Sequence, residues 1–329
     1  MTLGEYLEKM AARLSSAGVE DAENEAFVCL QTITGMSSSA LRFASSRDIS
    51  DSISAPVLED LESAFARREK REPLAYIVGH TPFYDLEFSV GKGVLIPRFD
   101  TEILVEAALT SLRVMEMPGI RTDQIPQVTS IRPAKALSPG EQVLVYDLCS
   151  GSGCVGITIA HELMKRNIPY KLIMTDISEE AVEYSRQNAE EILGDETSGG
   201  SWEVHLADLW PEKELAGDSV SGEGDKADLI VSNPPYVTLS EMAELSPEVK
   251  AHEPELALTD QGDGLSMYRR IAGGIKEHLK PGGTVLLEHG SEQGESVRNI
   301  LRGELSGIIT LKDYGGHDRV TAGKKEADT

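Results

Sequence analysis

Aromatic residues make up only 5% of the 329-residue chain, basic residues number 31 against 55 acidic ones, and cysteine occurs three times. Each shortage excludes something. A non-specific duplex binder needs a basic face to offset phosphate repulsion, and a formal charge of −24 runs against one. Direct nucleic-acid binding is therefore not expected; the acidic balance favours a small ligand or a basic protein partner. Cys29, Cys149 and Cys154 cannot all pair, and the latter two lie in a glycine-rich turn without a second Cys/His pair at zinc spacing, so neither a disulfide nor a metal is expected. No stretch of about 18 apolar residues occurs. The start, MTLGEYLEKM, carries Glu5 and Glu8 and no apolar run of signal-peptide length, which predicts a soluble, cytoplasmic protein with no membrane segment.

What is present suffices for two domains, at a prior of roughly 150 residues per domain. Leu3, Tyr6, Leu7, Met10 and Leu14 recur on one helix face, and Val57, Leu58, Leu61 and Phe65 repeat the pattern, so residues 1–72 read as a small helical domain. Its dense basic run, Arg67, Arg68, Lys70 and Arg71, suits a solvated helix end or a partner contact. From Pro73 the period changes, and Phe83, Leu86, Phe88 and Val90 suggest a hairpin within a linker of 73–97. A second domain follows over 98–323, with a frayed tail at 324–329. Its apolar runs, Val143–Tyr146, Leu172–Met174, Val204–Leu206, Leu229–Val231 and Val285–Leu287, alternate with helical stretches, as in a parallel sheet covered on both faces. Residues 117–141 and 213–227 break the pattern and read as mobile surface insertions. Residues 176–228 hold 16 acidic against 3 basic residues, so more than half of the net charge lies there, mostly as solubility.

Ligands of such sheets bind at the carboxyl ends of strands, so the residues after each apolar run carry the information. After the first comes Asp147–Cys154 (DLCSGSGC), in which Gly151 and Gly153 permit a tight turn that serves either as a nucleotide loop or as packing. After the second comes Asp176, placed to accept from both hydroxyls of a ribose; the competing role is a helix cap, for which Ser178 is better suited. The third ends at Asp208 and Leu209, where a carboxylate could accept from an adenine amino group while the leucine covers the ring, or could merely close a turn. The fourth ends at Asn233-Pro234-Pro235-Tyr236. Two prolines remove two N–H donors and fix the backbone, leaving carbonyls free, and Asn233 adds a side-chain oxygen. Together they form acceptors for a planar NH₂ group that Tyr236 can wall, or else a rigid turn.

With these segments the chain resembles the class I S-adenosylmethionine-dependent methyltransferases, and within them the HemK-type family that methylates a glutamine of peptide chain release factors. Further matching segments are Ile96–Glu102 (IPRFDTE), His252–Leu258 (HEPELAL), Asp263–Arg270 (DGLSMYRR), Leu286–Gly290 (LLEHG) and Asp313–Val320 (DYGGHDRV). Any one is modest; six in order are specific. The resemblance covers about residues 70–320, and the helical N-terminal domain by architecture. Phe99 stands where the family commonly has a second proline, and the linker of 117–141 is longer than is usual. Related enzymes that methylate a ribosomal-protein glutamine share Asn-Pro-Pro-Tyr; Arg98 followed by Asp100, Thr101 and Glu102 tilts the reading to the release-factor branch.

The resemblance implies a Rossmann-like α/β sheet of seven strands, mostly parallel, whose last two strands, near 307–313 and 318–322, pair antiparallel. It implies S-adenosyl-L-methionine held by Cys149, Ser150, Gly151, Ser152, Gly153, Asp176, Asp208, Leu209 and Asn233. It implies a glutamine amide of the Gly-Gly-Gln motif held by Asn233, Pro234, Pro235 and Tyr236, with Asn233, Pro234 and Tyr236 acting in methyl transfer and no metal. For final proton removal His252, Glu253 and Tyr236 are candidates. The rivals are methylation of a ribosomal-protein glutamine, DNA adenine N6-methylation, which would also need base flipping and phosphate contacts, and a non-catalytic binding module.

Overall fold

The computed structural model describes residues 1–117, 120, 124–130, 140–194, 199–211 and 226–326. It divides into two compact units: Met1–His80 with Val90–Lys92 and Leu245–Glu253, and Thr81–Ser89 with Gly93–Glu244 and Pro254–Thr329. Among the described residues no helix is long and apolar enough to cross a membrane.

The first unit is helical: α1 (Leu3–Ser16), α2 (Ala22–Thr34), α3 (Ser38–Ala44), α4 (Ile49–Ser52), α5 (Ala55–Arg68) and α6 (Leu74–Val78). Thr2 and Glu5 cap α1 reciprocally, the Thr2 hydroxyl accepting from the Glu5 amide at 3.2 Å and the Glu5 carboxylate from the Thr2 amide at 2.9 Å. Its apolar stripe, Leu3, Tyr6, Met10 and Leu14, is buried with Leu61 and Phe65 of α5, and Tyr6 meets Phe65 edge-on at 6.3 Å. α5 closes at Arg68 with Glu69 as its cap, and Pro73 caps the start of α6, so this unit runs past residue 72 to Gly79, whose φ of +87° stops that helix.

Three residues of the basic run are held in ion pairs within the unit, and Lys70 is exposed. Arg68, 5% exposed, pairs with Glu25 and Glu248, Arg71 with Glu248 at 2.6 Å and Arg67 with Glu72 at 2.6 Å. Glu248 lies nearly two hundred residues further along the chain, so no local pattern announces these pairs.

In the second unit, β1 (His80–Phe83), whose first residue still groups with the helical unit, and β2 (Leu86–Ser89) form the expected two-stranded sheet. A 3₁₀ turn, Phe99–Thr101, leads into α7 (Glu102–Ser111). The chain continues as β3 (Val143–Leu148), α8 (Cys154–Lys165), β4 (Tyr170–Asp176), α9 (Glu179–Leu193), β5 (Gly200–Leu206) and β6 (Ala227–Ser232). Then come α10 (Pro247–His252), which groups with the first unit, α11 (Glu255–Leu258), α12 (Ser266–His278), β7 (Leu279–Glu288), α13 (Gly294–Leu301), β8 (Ser306–Lys312) and β9 (Asp318–Lys324). The seven strands lie in the order β5-β4-β3-β6-β7-β9-β8. Neighbours are parallel from β5 to β7, and β9 runs antiparallel to both β7 and β8. Each predicted apolar run falls inside a strand, and β3 and β6, flanked on both sides, are buried at every position. The chain leaves β3 toward β5 on one side and returns to β6 on the other, which opens a crevice at the carboxyl ends of β3 and β6. Leu148 pairs with both Thr175 and Ser232, so β3, β4 and β6 end level.

Two expectations are corrected. The stretch 117–141 is not a surface insertion over its described part: Met117, Ile125 and Val128 are buried, Thr129 donates to the Gly282 carbonyl at 2.7 Å, and the Ser130 hydroxyl donates to Asp228 at 2.7 Å. Residues 118–119, 121–123 and 131–139, and 213–225 of the other insertion, lie outside the described residues. The tail is not frayed at its start. Lys324 is in β9, and Lys325 holds the Leu279 carbonyl through its ammonium at 2.8 Å and Gly283 through its amide at 2.9 Å; residues 327–329 are not described.

Candidate functional site

At the carboxyl ends of the strands lies a cavity of about 510 Å³. Its floor is the turn between β3 and α8. Cys149, Gly151 and Gly153 all have positive φ (+57°, +57° and +79°), which coils the backbone before α8 starts. The two glycines serve different ends. A Cβ on Gly151 would meet nothing within 4 Å, whereas one on Gly153 would come within 2.6 Å of Ile157 and 3.2 Å of Met174. Gly153 is thus a packing position, and the exposed backbone of Gly151 faces the cavity.

Asp147, at the end of β3 and 1% exposed, accepts from the Gly156 amide at 2.8 Å. Burial pushes its carboxyl up to about 7, with the nearby Asp176 adding to the rise. Asp176 ends β4 and ties two loops together, one oxygen accepting from the Gly151 amide at 2.9 Å and the other from the Ser178 amide at 3.0 Å. Each oxygen keeps a further lone pair. Burial raises this carboxyl as well. Ser178 is the α9 cap, accepting from the Ala181 amide at 3.2 Å. Asp208 pairs with Arg270 of α12 at 2.8 Å, and both line the cavity. Leu209, at φ +74°, is buried while its carbonyl accepts from the Thr175 hydroxyl.

After β6, Asn233 and Pro235 line the cavity. Asn233 Nδ2 donates to the Thr101 hydroxyl at 3.3 Å. Tyr236 points its hydroxyl at Glu288 of β7, 3.3 Å away, and its carbonyl accepts from Gln293 Nε2 at 3.0 Å. Glu288 is 1% exposed and pushed up to about 7 by burial.

The cavity therefore brings together Cys149, Ser150, Gly151, Ser152, Asp176, Asp208, Leu209, Asn233 and Pro235; Gly153, Pro234 and Tyr236 adjoin these residues in sequence but are not part of its wall. His252 and Glu253 group with the first unit. Sequence reasoning overlooked Asp147, Thr101, Arg270 and Glu288. All four lie in quoted segments, but nothing in their spacing marks them, because their roles depend on burial and on partners distant in the chain.

Residues 5–79 match the PrmC N-terminal domain and residues 134–247 the Methyltransferase small domain. The chain is 36% identical to the release factor glutamine methyltransferase of Fusobacterium nucleatum subsp. nucleatum over 87% of its own length and 68% of that protein. Against the release factor glutamine methyltransferase of Cereibacter sphaeroides it is 32% identical, over 99% of this chain and 100% of that one. It is also 32% identical to a bifunctional methyltransferase of Rickettsia felis, over 97% of this chain but only 57% of that longer protein. Among solved structures, the catalytic domain of hMettl16 with MAT2A 3′UTR hairpin 6 superposes with a TM-score of 0.50 over 84% of this chain and 83% of that one; at 11% identity the likeness concerns the fold alone.

Proposed function

Because the chain belongs to the release factor glutamine methyltransferase family, we propose that it methylates a side-chain amide nitrogen, that of the glutamine in the Gly-Gly-Gln motif of peptide chain release factors, with S-adenosylmethionine as methyl donor. The seven-stranded sheet is the class I methyltransferase sheet, with the small helical unit at its N-terminal end in sequence. What carries the reading is the Asn233-Pro234-Pro235-Tyr236 turn at the end of β6, beside a cavity suited to the cofactor.

The fit to the cofactor rests on three features. The cavity volume of about 510 Å³ is that of a small-molecule site. Asp176 keeps lone pairs for the two hydroxyls of a ribose, and Asp208 and Leu209 flank the place of an adenine ring. Asp147 is a buried carboxyl on the cavity wall that accepts from the Gly156 amide, and a carboxylate at that place suits a cationic ligand. When bound, the cofactor supplies an electrophilic methyl group on a sulfonium.

An amide nitrogen is a poor nucleophile because its lone pair is delocalised into the carbonyl. Asn233 Oδ1 and the Pro234 carbonyl accept its two N–H bonds, draw the nitrogen toward tetrahedral geometry and stabilise the positive charge that develops only in the transition state. Positioning supplies most of the acceleration. The Tyr236 hydroxyl is engaged with Glu288, so its part is to brace the turn from behind. The charge of −24 argues against duplex DNA as substrate. Incubation with labelled S-adenosylmethionine and either a release factor or duplex DNA is the test. Label on the release factor glutamine, located by mass spectrometry, is expected; label on DNA alone would overturn the reading.

A further inference from the structure

Thr101 and Glu288, from two segments that carry the resemblance, have no part in the chemistry so far. Each is 1% exposed; Thr101 lines the cavity beside Asn233, and Glu288 lies beneath Tyr236. Thr101 Oγ1 accepts from Asn233 Nδ2 at 3.3 Å, and Glu288 Oε1 accepts from the Tyr236 hydroxyl at 3.3 Å. Glu288 Oε2 is buried with no hydrogen-bond partner of its own, although the Thr101 hydroxyl is near enough to favour the ionised carboxyl. The main chain here is fixed as well, since the Tyr268 hydroxyl donates to the Glu288 carbonyl at 2.8 Å.

The two ends of a carboxamide have nearly the same shape, so packing cannot choose between them; only the chemistry of their partners can. An Asn233 turned the wrong way would present N–H donors to a substrate NH₂ that is itself a donor, and the site would repel the group it must hold. We propose that Thr101 and Glu288 are positioning residues for methyl transfer: the Thr101 hydroxyl directs its hydrogen toward the Glu288 carboxylate, so that Thr101 Oγ1 is left to accept, Asn233 must turn Nδ2 toward it, and Oδ1 is left for the substrate amide. Above about pH 7, where Glu288 is ionised, its carboxylate is acceptor-only, which is why a Glu serves here and a Gln, able to donate to Thr101, would not. The assignment rests on the reading of Asn233 as the acceptor for the substrate amide.

The test is steady-state kinetics of the full-length enzyme on intact release factor, with cofactor affinity measured by calorimetry. Thr101→Val keeps the shape and removes the hydroxyl; kcat is expected to fall at least about tenfold while KM for release factor and Kd for S-adenosylmethionine stay within about threefold. Thr101→Ser should recover most of the lost rate, and Glu288→Gln should lower kcat in the same selective way. A smaller fall in Thr101→Val, an equal loss of cofactor affinity, or a Thr101→Ser no faster than Thr101→Val would overturn the inference. Wild-type enzyme is run in the same series. If it failed to methylate release factor, the proposed function would fall and this inference with it; wild-type turnover with an unimpaired Thr101→Val defeats the inference alone.

Discussion

At Asn233 one side chain provides an acceptor whose value, on the proposed mechanism, appears only as the substrate nitrogen gains charge. Asn233→Ala should therefore reduce kcat about a hundredfold or more, equivalent to about 3 kcal/mol, by analogy with oxyanion-hole donors, while cofactor Kd changes only a few-fold. Asp176 lines the same cavity, and Asp176→Ala should show the converse in a calorimetric titration, with cofactor affinity lost first. Near wild-type turnover in the first variant or an unchanged Kd in the second would contradict these roles. The places of Asn233 and Asp176 at the ends of strands were legible in the sequence because each comes just after an apolar run. Thr101 was legible only as part of a motif, since the contact that gives it meaning spans 132 residues.

The element with the strictest local demands is the turn from β3 into α8. Gly151 and Gly153 share a left-handed backbone, but only Gly153 is also crowded. Alanine at Gly151 should cost about 1 kcal/mol through the backbone alone. At Gly153 the added clash should raise the loss to about 2 kcal/mol or more. Urea unfolding of the two variants checks the order; equal losses would mean that Ile157 and Met174 give way freely. Secondary structure was largely readable here because the strand runs are short, apolar and bounded by turn residues. The packed course of 124–130 was not, since Ile125 and Val128 lack any period and are buried only because α7 and the Gly282 turn lie beside them.

For the whole molecule, charge and pH set two further expectations. Burial raises Asp147 from 3.8 and Glu288 from 4.5, each to about 7. Asp176 adds to the first shift; Asp100 adds to the second, whereas Arg319, Tyr236 and Thr101 oppose it. Between their unfolded and folded values the native state binds more protons than the unfolded chain. Their contribution to stability is thus full below about pH 4 and is lost as pH rises through 7. Denaturation of the ligand-free protein from pH 4 to 8 should show Asp147→Asn and Glu288→Gln each flattening this loss; an unchanged slope in both would count against the burial argument. The second expectation concerns encounter. A substrate that works beside RNA carries basic surface, so a charge of −24 should speed association, an advantage screened over about 8 Å at physiological salt. Raising salt should lower kcat/KM on intact release factor much more than on a short glutamine peptide, and equal slopes would refute steering.

Periodicity, turn chemistry and apolar runs are short-range properties of the chain, and they set the class of the fold and the order of its strand ends. The helical faces around Tyr6 and Phe65, the loop at Gly151 and Gly153, and the acceptors at Asn233 were all of this kind. The tertiary structure alone decided which distant groups meet. It set β6 beside β3, closed Arg68 and Arg71 on Glu248, turned Arg270 onto Asp208, and buried Glu288 behind Tyr236. Those pairings follow from strand order and burial, and both come into being only when elements far apart in the chain pack against one another.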